Sequence, residues 1–135
     1  MDICTRINEA RTTGKICCGV YHGKEIIPRK ARFKNFGLSD PTGWENELKP
    51  KEAEEIITNI LSHHLESNRV VMEKEMAATL ANAFIQSVPE NAKFYSNQGV
   101  GYGPEPLSQA FMDTGIFCEL NGIVGLLWVC DDEEP

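Results

Sequence analysis

The feature that most restricts the fold of this chain is an Asn-Gly pair, Asn121-Gly122, placed between two apolar segments. The segments cover residues 116–120 and 123–130, and both are rich in residues that favour β structure. A two-residue hairpin turn needs positive φ angles, which asparagine and glycine adopt at little cost. The sequence therefore predicts a β-hairpin near the C-terminus and, with it, an antiparallel sheet.

Two amphipathic helices are predicted in the middle of the chain. The first begins near Pro50, a residue that suits the first turn of a helix, and is expected to end near Ser67. The second extends from Met72 to Ser87, and Pro89 stops it. Apolar residues recur every three or four positions in both segments, so each helix has one face to bury. The short connection between them predicts an antiparallel pair.

The remaining predicted elements are shorter: a helix over 2–11, strands over 15–21, 25–27 and 92–96, and loops over 35–49 and 97–109. Neither an internal repeat nor a linker divides the 135 residues. We therefore expect one domain over residues 1–135. Its fold class is α+β, an antiparallel sheet with a C-terminal β-hairpin packed against a helical pair.

Composition narrows the class of protein. Hydrophobic residues make up 41% and charged residues 24% of the chain, which is an ordinary globular balance. No apolar run approaches the ~20 residues of a membrane span, and the N-terminus lacks the apolar core of a secretory signal. The five cysteines are odd in number, and their spacing does not demand disulfides. We expect a cytoplasmic protein without membrane contact.

Charge is unevenly distributed along a chain whose formal net charge is −7. Residues 1–36 carry an excess of basic side chains, whereas residues 37–135 are strongly acidic. A net negative protein repels nucleic acid and attracts basic proteins. The basic stretch 29–36, with Phe33 and Phe36 interleaved, has the composition of a single-strand binding patch. Internal pairing with the acidic part is the favoured interpretation, so we predict no direct nucleic-acid contact.

Two other motifs are weak indicators of chemistry. The glycine-rich loop near residues 99–103 lacks the Gly-Lys-Ser/Thr continuation of a phosphate-binding loop. His63 and His64 are adjacent, so on a helix their side chains point about 100° apart and do not chelate one metal ion well. We predict neither a metal nor a cofactor.

Cys17 and Cys18 are adjacent in the first predicted strand. Neighbouring residues of a strand point to opposite faces of a sheet. Their spacing also differs from the two to four residues that separate cysteines in zinc and redox motifs. A cysteine-dependent enzyme that uses Cys17 or Cys18 with His22 is kept as an alternative.

Two clusters combine acidic residues with a tryptophan. Trp44 lies beside Glu45 and Glu47, and Trp128 precedes the acidic segment 131–134. A rigid aromatic ring beside carboxylates is typical of a contact surface for a Lys- or Arg-rich partner. The alternative for the second cluster is a core tryptophan followed by a solvated tail.

The last third of the chain carries a family resemblance. The loop Gly-Tyr-Gly-Pro-Glu-Pro-Leu-Ser at 101–108, the segment 111–115, the Asn-Gly hairpin and the run 127–133 resemble small acidic bacterial immunity proteins of contact-dependent, polymorphic toxin systems. The resemblance covers about residues 70–135. It implies an inhibitor of the toxin of its own system, commonly a nuclease with a basic cleft. An acidic surface suits that task because it mimics a phosphate chain.

The first hypothesis is therefore a binding protein, and not an enzyme, that neutralises a cognate basic toxin by occluding its active site. Aromatic residues would anchor the partner, and carboxylates would pair with its Lys and Arg side chains. The predicted contact residues are Trp44, Glu45, Glu47, Tyr102, Glu105, Asp131, Asp132 and Glu133. A cytosolic adaptor without a toxin partner is the alternative within the same class.

Overall fold

The computed structural model describes residues 2–21, 28–39, 47–96, 108, 110 and 112–133. The elements are α1 (Ile3–Ala10), β1 (Lys15–Val20), α2 (Arg29–Asn35), α3 (Pro50–Ser62), α4 (Lys74–Ser87), β2 (Lys93–Ser96), β3 (Met112–Glu119) and β4 (Ile123–Asp131). The four strands form one antiparallel sheet in the order β1-β4-β3-β2. This open sheet with its helices confirms the predicted α+β class.

The predicted hairpin is present as β3 and β4. Asn121 and Gly122 connect the strands with φ angles of 58° and 127°. The register sets Met112 opposite Asp131, and a β-bulge follows Cys118. Because β4 lies between β1 and β3 and both faces of the sheet are covered, all of its residues are buried.

One face of the sheet packs against α1, α3 and α4. The apolar stripes of α3 and α4 meet it through Ile57, Leu61 and Phe84, which are fully buried beside Ile116 and Leu127. Burying such a side chain contributes about 1.5–3 kcal/mol, so this layer contributes substantially to stability. The helical pair that the apolar spacing predicted is thus packed on the sheet.

The predicted end of α3 near Ser67 is wrong. The helix ends at Ser62, because His63 adopts an extended conformation (φ −130°, ψ 146°) and forms an antiparallel β-bridge with Val70. The backbone then turns, and α4 begins at Lys74, two residues after the predicted start. This early exit brings the last turn of α3 against the end of β4, where it contributes to the buried network described below.

The other face of the sheet packs against α2, an element that sequence analysis did not predict. Phe33 of α2 is fully buried and meets Phe117 and Trp128 edge-on, with ring centroids 5.3 and 6.0 Å apart. Seven residues form a stable helix only with tertiary support, which these aromatic contacts supply. Arg32 of the same helix lies 3.5 Å above the Tyr21 ring, so part of the basic stretch is used within the fold.

The predicted strand over 25–27 lies outside the described residues. So do residues 40–46 of the predicted loop over 35–49, and all of the predicted loop over 97–109 except Ser108. Among the residues that are described, no helix has the length and apolar character needed to cross a bilayer.

Candidate functional site

Asp131 lies in the interior, at the end of β4. Its carboxylate forms a bidentate ion pair with Arg11, with Nη1–Oδ1 at 2.9 Å and Nη2–Oδ2 at 2.8 Å, and both side chains have 0% exposure. The prediction that Asp131 is a partner-binding carboxylate in a solvated tail is therefore wrong. The burial of Asp131 could not be predicted from the sequence pattern, because Arg11, with which it pairs, lies 120 positions away.

The guanidinium of Arg11 uses all five of its N–H groups. Two bind Asp131, and the other three donate to backbone carbonyls that close the turn after α1 and the last turn of α3: Thr13, Ile60 and His63. Asp131 Oδ2 also accepts the Leu65 N–H at 2.8 Å. Buried charges are tolerated when every donor and acceptor is satisfied in this way. The network joins α1, α3, the loop after α3 and β4.

A surface cleft of about 880 Å³ lies beside the start of β1 and the end of β4, and it is called the β4 cleft here. Lys15 and Asp132 place opposite charges on its lining, and Ser39 and Ser108 add hydroxyl groups. Asp132 and Glu133 are exposed, and their contact with a partner stays a prediction. Because Asp131 is anchored directly before them, these two carboxylates project from a fixed point at the end of a central strand.

Asp113 organises the wall of the β4 cleft. Its Oδ1 accepts the indole N–H of Trp128 at 2.9 Å. Its Oδ2 accepts the backbone N–H and the hydroxyl of Ser108, at 2.9 and 2.6 Å. Trp128 is therefore a core residue whose single donor is satisfied, which is the alternative interpretation of the second tryptophan cluster.

A pair of thiols, Cys17 and Cys130, lies at the β4 cleft, and Cys130 is part of its lining. The Cys130 thiol donates to the sulfur of Cys17, and together with the positive charge of Lys15 this lowers the pKa of Cys17 to about 7. The same contact and burial raise the pKa of Cys130. Cys17 is only 1% exposed and its Sγ lies 3.9 Å from the carbonyl oxygen of Phe36, so a substrate has little access to it. Its proposed partner His22 lies outside the described residues.

Glu47 is exposed but belongs to another part of the surface. It precedes Leu48, which bridges to Phe94 of β2. Phe94 is level with Cys118 of β3, six residues from the end of β3 that pairs with Asp131. At about 3.4 Å per residue this separates Glu47 from the β4 cleft by roughly 20 Å along the sheet. The remaining predicted contacts, Trp44, Glu45, Tyr102 and Glu105, lie outside the described residues.

The adjacent histidines, His63 and His64, both stabilise the backbone at the end of α3. His64 is 3% exposed, and its Nδ1 accepts the backbone N–H groups of Glu66 and Ser67, each at 3.2 Å. His63 forms the bridge that ends α3. Within the described ranges, no three or more His, Cys, Asp or Glu side chains are grouped so as to hold a metal ion.

Comparison with known proteins adds no family assignment. No protein-family model matches the chain, and neither the curated proteins nor the solved structures contain a significant match.

Proposed function

We propose that this chain is an immunity-type binding protein of the cytoplasm, which neutralises a basic, nuclease-like toxin by occluding its active site. The observation that supports the proposal is the distribution of charged side chains between the core and the surface. Four charged residues among the described ones are buried: two basic residues, Arg11 and Arg32, and two acidic residues, Asp113 and Asp131. Their formal charges cancel. Every other described Asp and Glu reaches the surface, so the acidic excess is available to a partner.

Asp132 and Glu133 are the described residues best placed for such contacts. Both follow a buried strand end that the Arg11–Asp131 ion pair holds in place. Carboxylates on a preorganised backbone lose less conformational freedom when they pair with Lys or Arg of a partner. Opposite charge on the two surfaces also speeds association, by steering the encounter. The resemblance of residues 70–135 to immunity proteins supports the same class of partner.

Affinity capture tests the proposal. The full chain serves as bait in lysate of its source cells, the wash contains rising salt, and mass spectrometry identifies what stays bound. We expect one basic protein that is toxic when expressed alone and harmless when co-expressed with this chain. A retained partner without toxicity would favour the adaptor alternative, and absence of a basic partner would contradict the proposal.

Charge reversal then tests which surface of this chain binds that partner. Asp132→Lys with Glu133→Lys should weaken binding at least tenfold, mainly through slower association, and should reduce its dependence on salt. The matched control is Glu55→Lys with Glu90→Lys, which makes the same charge change at other exposed positions. Surface plasmon resonance compares the two variants. Equal losses in both would show that only net charge matters and would remove the segment 132–133 from the interface.

A cysteine-dependent enzyme is the second candidate, and one observation favours it. The hydrogen bond from Cys130 and the positive charge of Lys15 lower the pKa of Cys17, which favours its nucleophilic thiolate form. That candidate predicts that Cys17 reacts with iodoacetamide faster than the other four cysteines. The 1% exposure of Cys17 argues against it, and slow, uniform alkylation of all five cysteines would exclude it.

A further inference from the structure

The five cysteines include two thiol pairs, one on each face of the sheet. Cys17 and Cys18 point to opposite faces of β1, and each meets a thiol there: Cys130 on the α2 side and Cys4 of α1 on the other. Cys17, Cys118 and Cys130 are buried. Cys4 and Cys18 are partly exposed and line one surface cleft of about 740 Å³. Of the two pairs, this is the more exposed one, although Cys130 also borders the β4 cleft.

The two accessible thiols are chemically unequal. The Cys18 thiol donates to the sulfur of Cys4, which lowers the pKa of Cys4. The same interaction, with burial, raises the pKa of Cys18. Cys4 is also the second residue of α1, where the helix dipole favours a negative charge. One member of the pair is therefore suited to attack as a thiolate, while the other keeps its proton.

We propose that Cys4 and Cys18 form an oxidisable dithiol site whose substrate is a small, neutral hydroperoxide. The Cys4 thiolate attacks one peroxide oxygen, the O–O bond breaks, and the leaving hydroxide or alkoxide takes a proton. Cys4 becomes a sulfenic acid. The Cys18 sulfur then attacks the Cys4 sulfur, the S–O bond breaks, and water leaves with the Cys18 proton. Two thiols and one peroxide thus give one disulfide, one water, and a second water or an alcohol.

The lining of the cleft argues for a neutral oxidant. Asp2 and Glu9 lie on its wall and are both exposed, and the negative charge of Asp2 acts on both thiols. Glutathione disulfide carries a net negative charge and is repelled there, whereas hydrogen peroxide is neutral. The product disulfide joins α1 to β1, so the oxidised protein is expected to unfold at a higher temperature than the reduced one.

The first test uses the reduced full chain with limiting hydrogen peroxide at neutral pH, followed by alkylation and peptide mass spectrometry. We expect the Cys4–Cys18 disulfide to form first. Cys118, whose pKa is raised by burial, should stay reduced and serves as the control within the same molecule. Glutathione disulfide at equal concentration should react at least tenfold more slowly. Earlier oxidation at Cys17 or Cys130, or equal rates for all five cysteines, would overturn the proposal.

Two variants separate the roles of the thiols. Cys18→Ser should leave a sulfenic acid on Cys4 that a cyclic 1,3-diketone captures, while Cys4→Ser should lose the fast phase of peroxide consumption. Asp2→Asn keeps an N-capping side chain but removes its charge, and it should speed the reaction with glutathione disulfide several-fold. An unchanged peroxide rate in Cys4→Ser would exclude Cys4 as the attacking group.

Discussion

At the scale of single residues, one ion pair determines how the C-terminal end of the sheet is built. Arg11 and Asp131 are both removed from solvent, and their hydrogen bonds join two helices, a loop and a central strand. Removing one partner of such a pair leaves a buried charge without compensation, which costs more than the pair itself contributes. The role of Asp131 is therefore structural, although the two residues that follow it are exposed acids.

Asp131→Asn should destabilise the protein by about 3–5 kcal/mol, because the guanidinium of Arg11 would remain buried without its counter-charge. The matched control is Asp132→Asn, which makes the same chemical change at the next, exposed residue and should cost less than about 0.5 kcal/mol. Urea unfolding followed by circular dichroism measures both. Similar unfolding midpoints for the two variants would refute the structural role of Asp131.

Gly14 is required by the same network. Its φ is +72°, and a Cβ there would lie 2.0 Å from Asp131 Oδ1 and 2.7 Å from the carbonyl oxygen of Cys130. Gly37 provides the comparison, because its φ is +75° but a Cβ there would meet no atom of the described residues within 4 Å. Gly37→Ala should cost about 1–2 kcal/mol for the left-handed conformation alone.

Gly14→Ala should cost clearly more than Gly37→Ala, since it adds a steric clash with the ion pair. The difference between the two free energies of unfolding, measured in the same denaturant series, isolates that clash. Equal costs would mean that the Asp131 carboxylate can move aside without loss.

At the scale of elements, local signals explain the hairpin and the long helices but not α2. Asn121-Gly122 and the apolar spacing of α3 and α4 are encoded within each segment, so sequence reasoning located them. The seven-residue helix α2 is anchored mainly by the buried Phe33 and has no side-chain cap. Whether a helix this short forms depends on its contacts with the aromatic side chains of the sheet, which come from β3 and β4.

The hairpin turn offers a test at this scale. Asn121 has a φ of 58°, which asparagine and glycine tolerate and a β-branched residue does not. Asn121→Val should destabilise the protein by about 1–2 kcal/mol, whereas Asn121→Gly should change its stability by less than about 0.5 kcal/mol. Thermal unfolding compares them. A valine variant as stable as the glycine variant would show that the strands, and not the turn, set the register.

At the scale of the whole molecule, the acidic excess lies outside a core whose charges cancel. A net charge of −7 on one small domain opposes compaction through self-repulsion, and dissolved salt screens that repulsion. The buried Arg11–Asp131 pair is screened far less, because solvent ions do not reach it. Salt should therefore stabilise this protein.

We expect the thermal unfolding midpoint at pH 7 to rise as sodium chloride increases from about 10 mM to about 150 mM. The Glu55→Lys, Glu90→Lys variant carries four fewer net negative charges and should show a smaller rise. Differential scanning fluorimetry is sufficient for the comparison. A midpoint that falls with salt in the parent chain would mean that surface ion pairs outweigh the general repulsion.

The sequence by itself determined the features that depend on local pattern: the α+β class, the C-terminal hairpin, the amphipathic helices and the acidic character. These follow from periodicity and turn chemistry, which act over a few residues. Tertiary structure decided the rest. It buried Asp131 against Arg11, separated Glu47 from Asp132, added α2, and gave Cys17 and Cys18 different thiol partners. Each of these outcomes depends on residues far apart in the chain, whose meeting is set by how the sheet and helices pack.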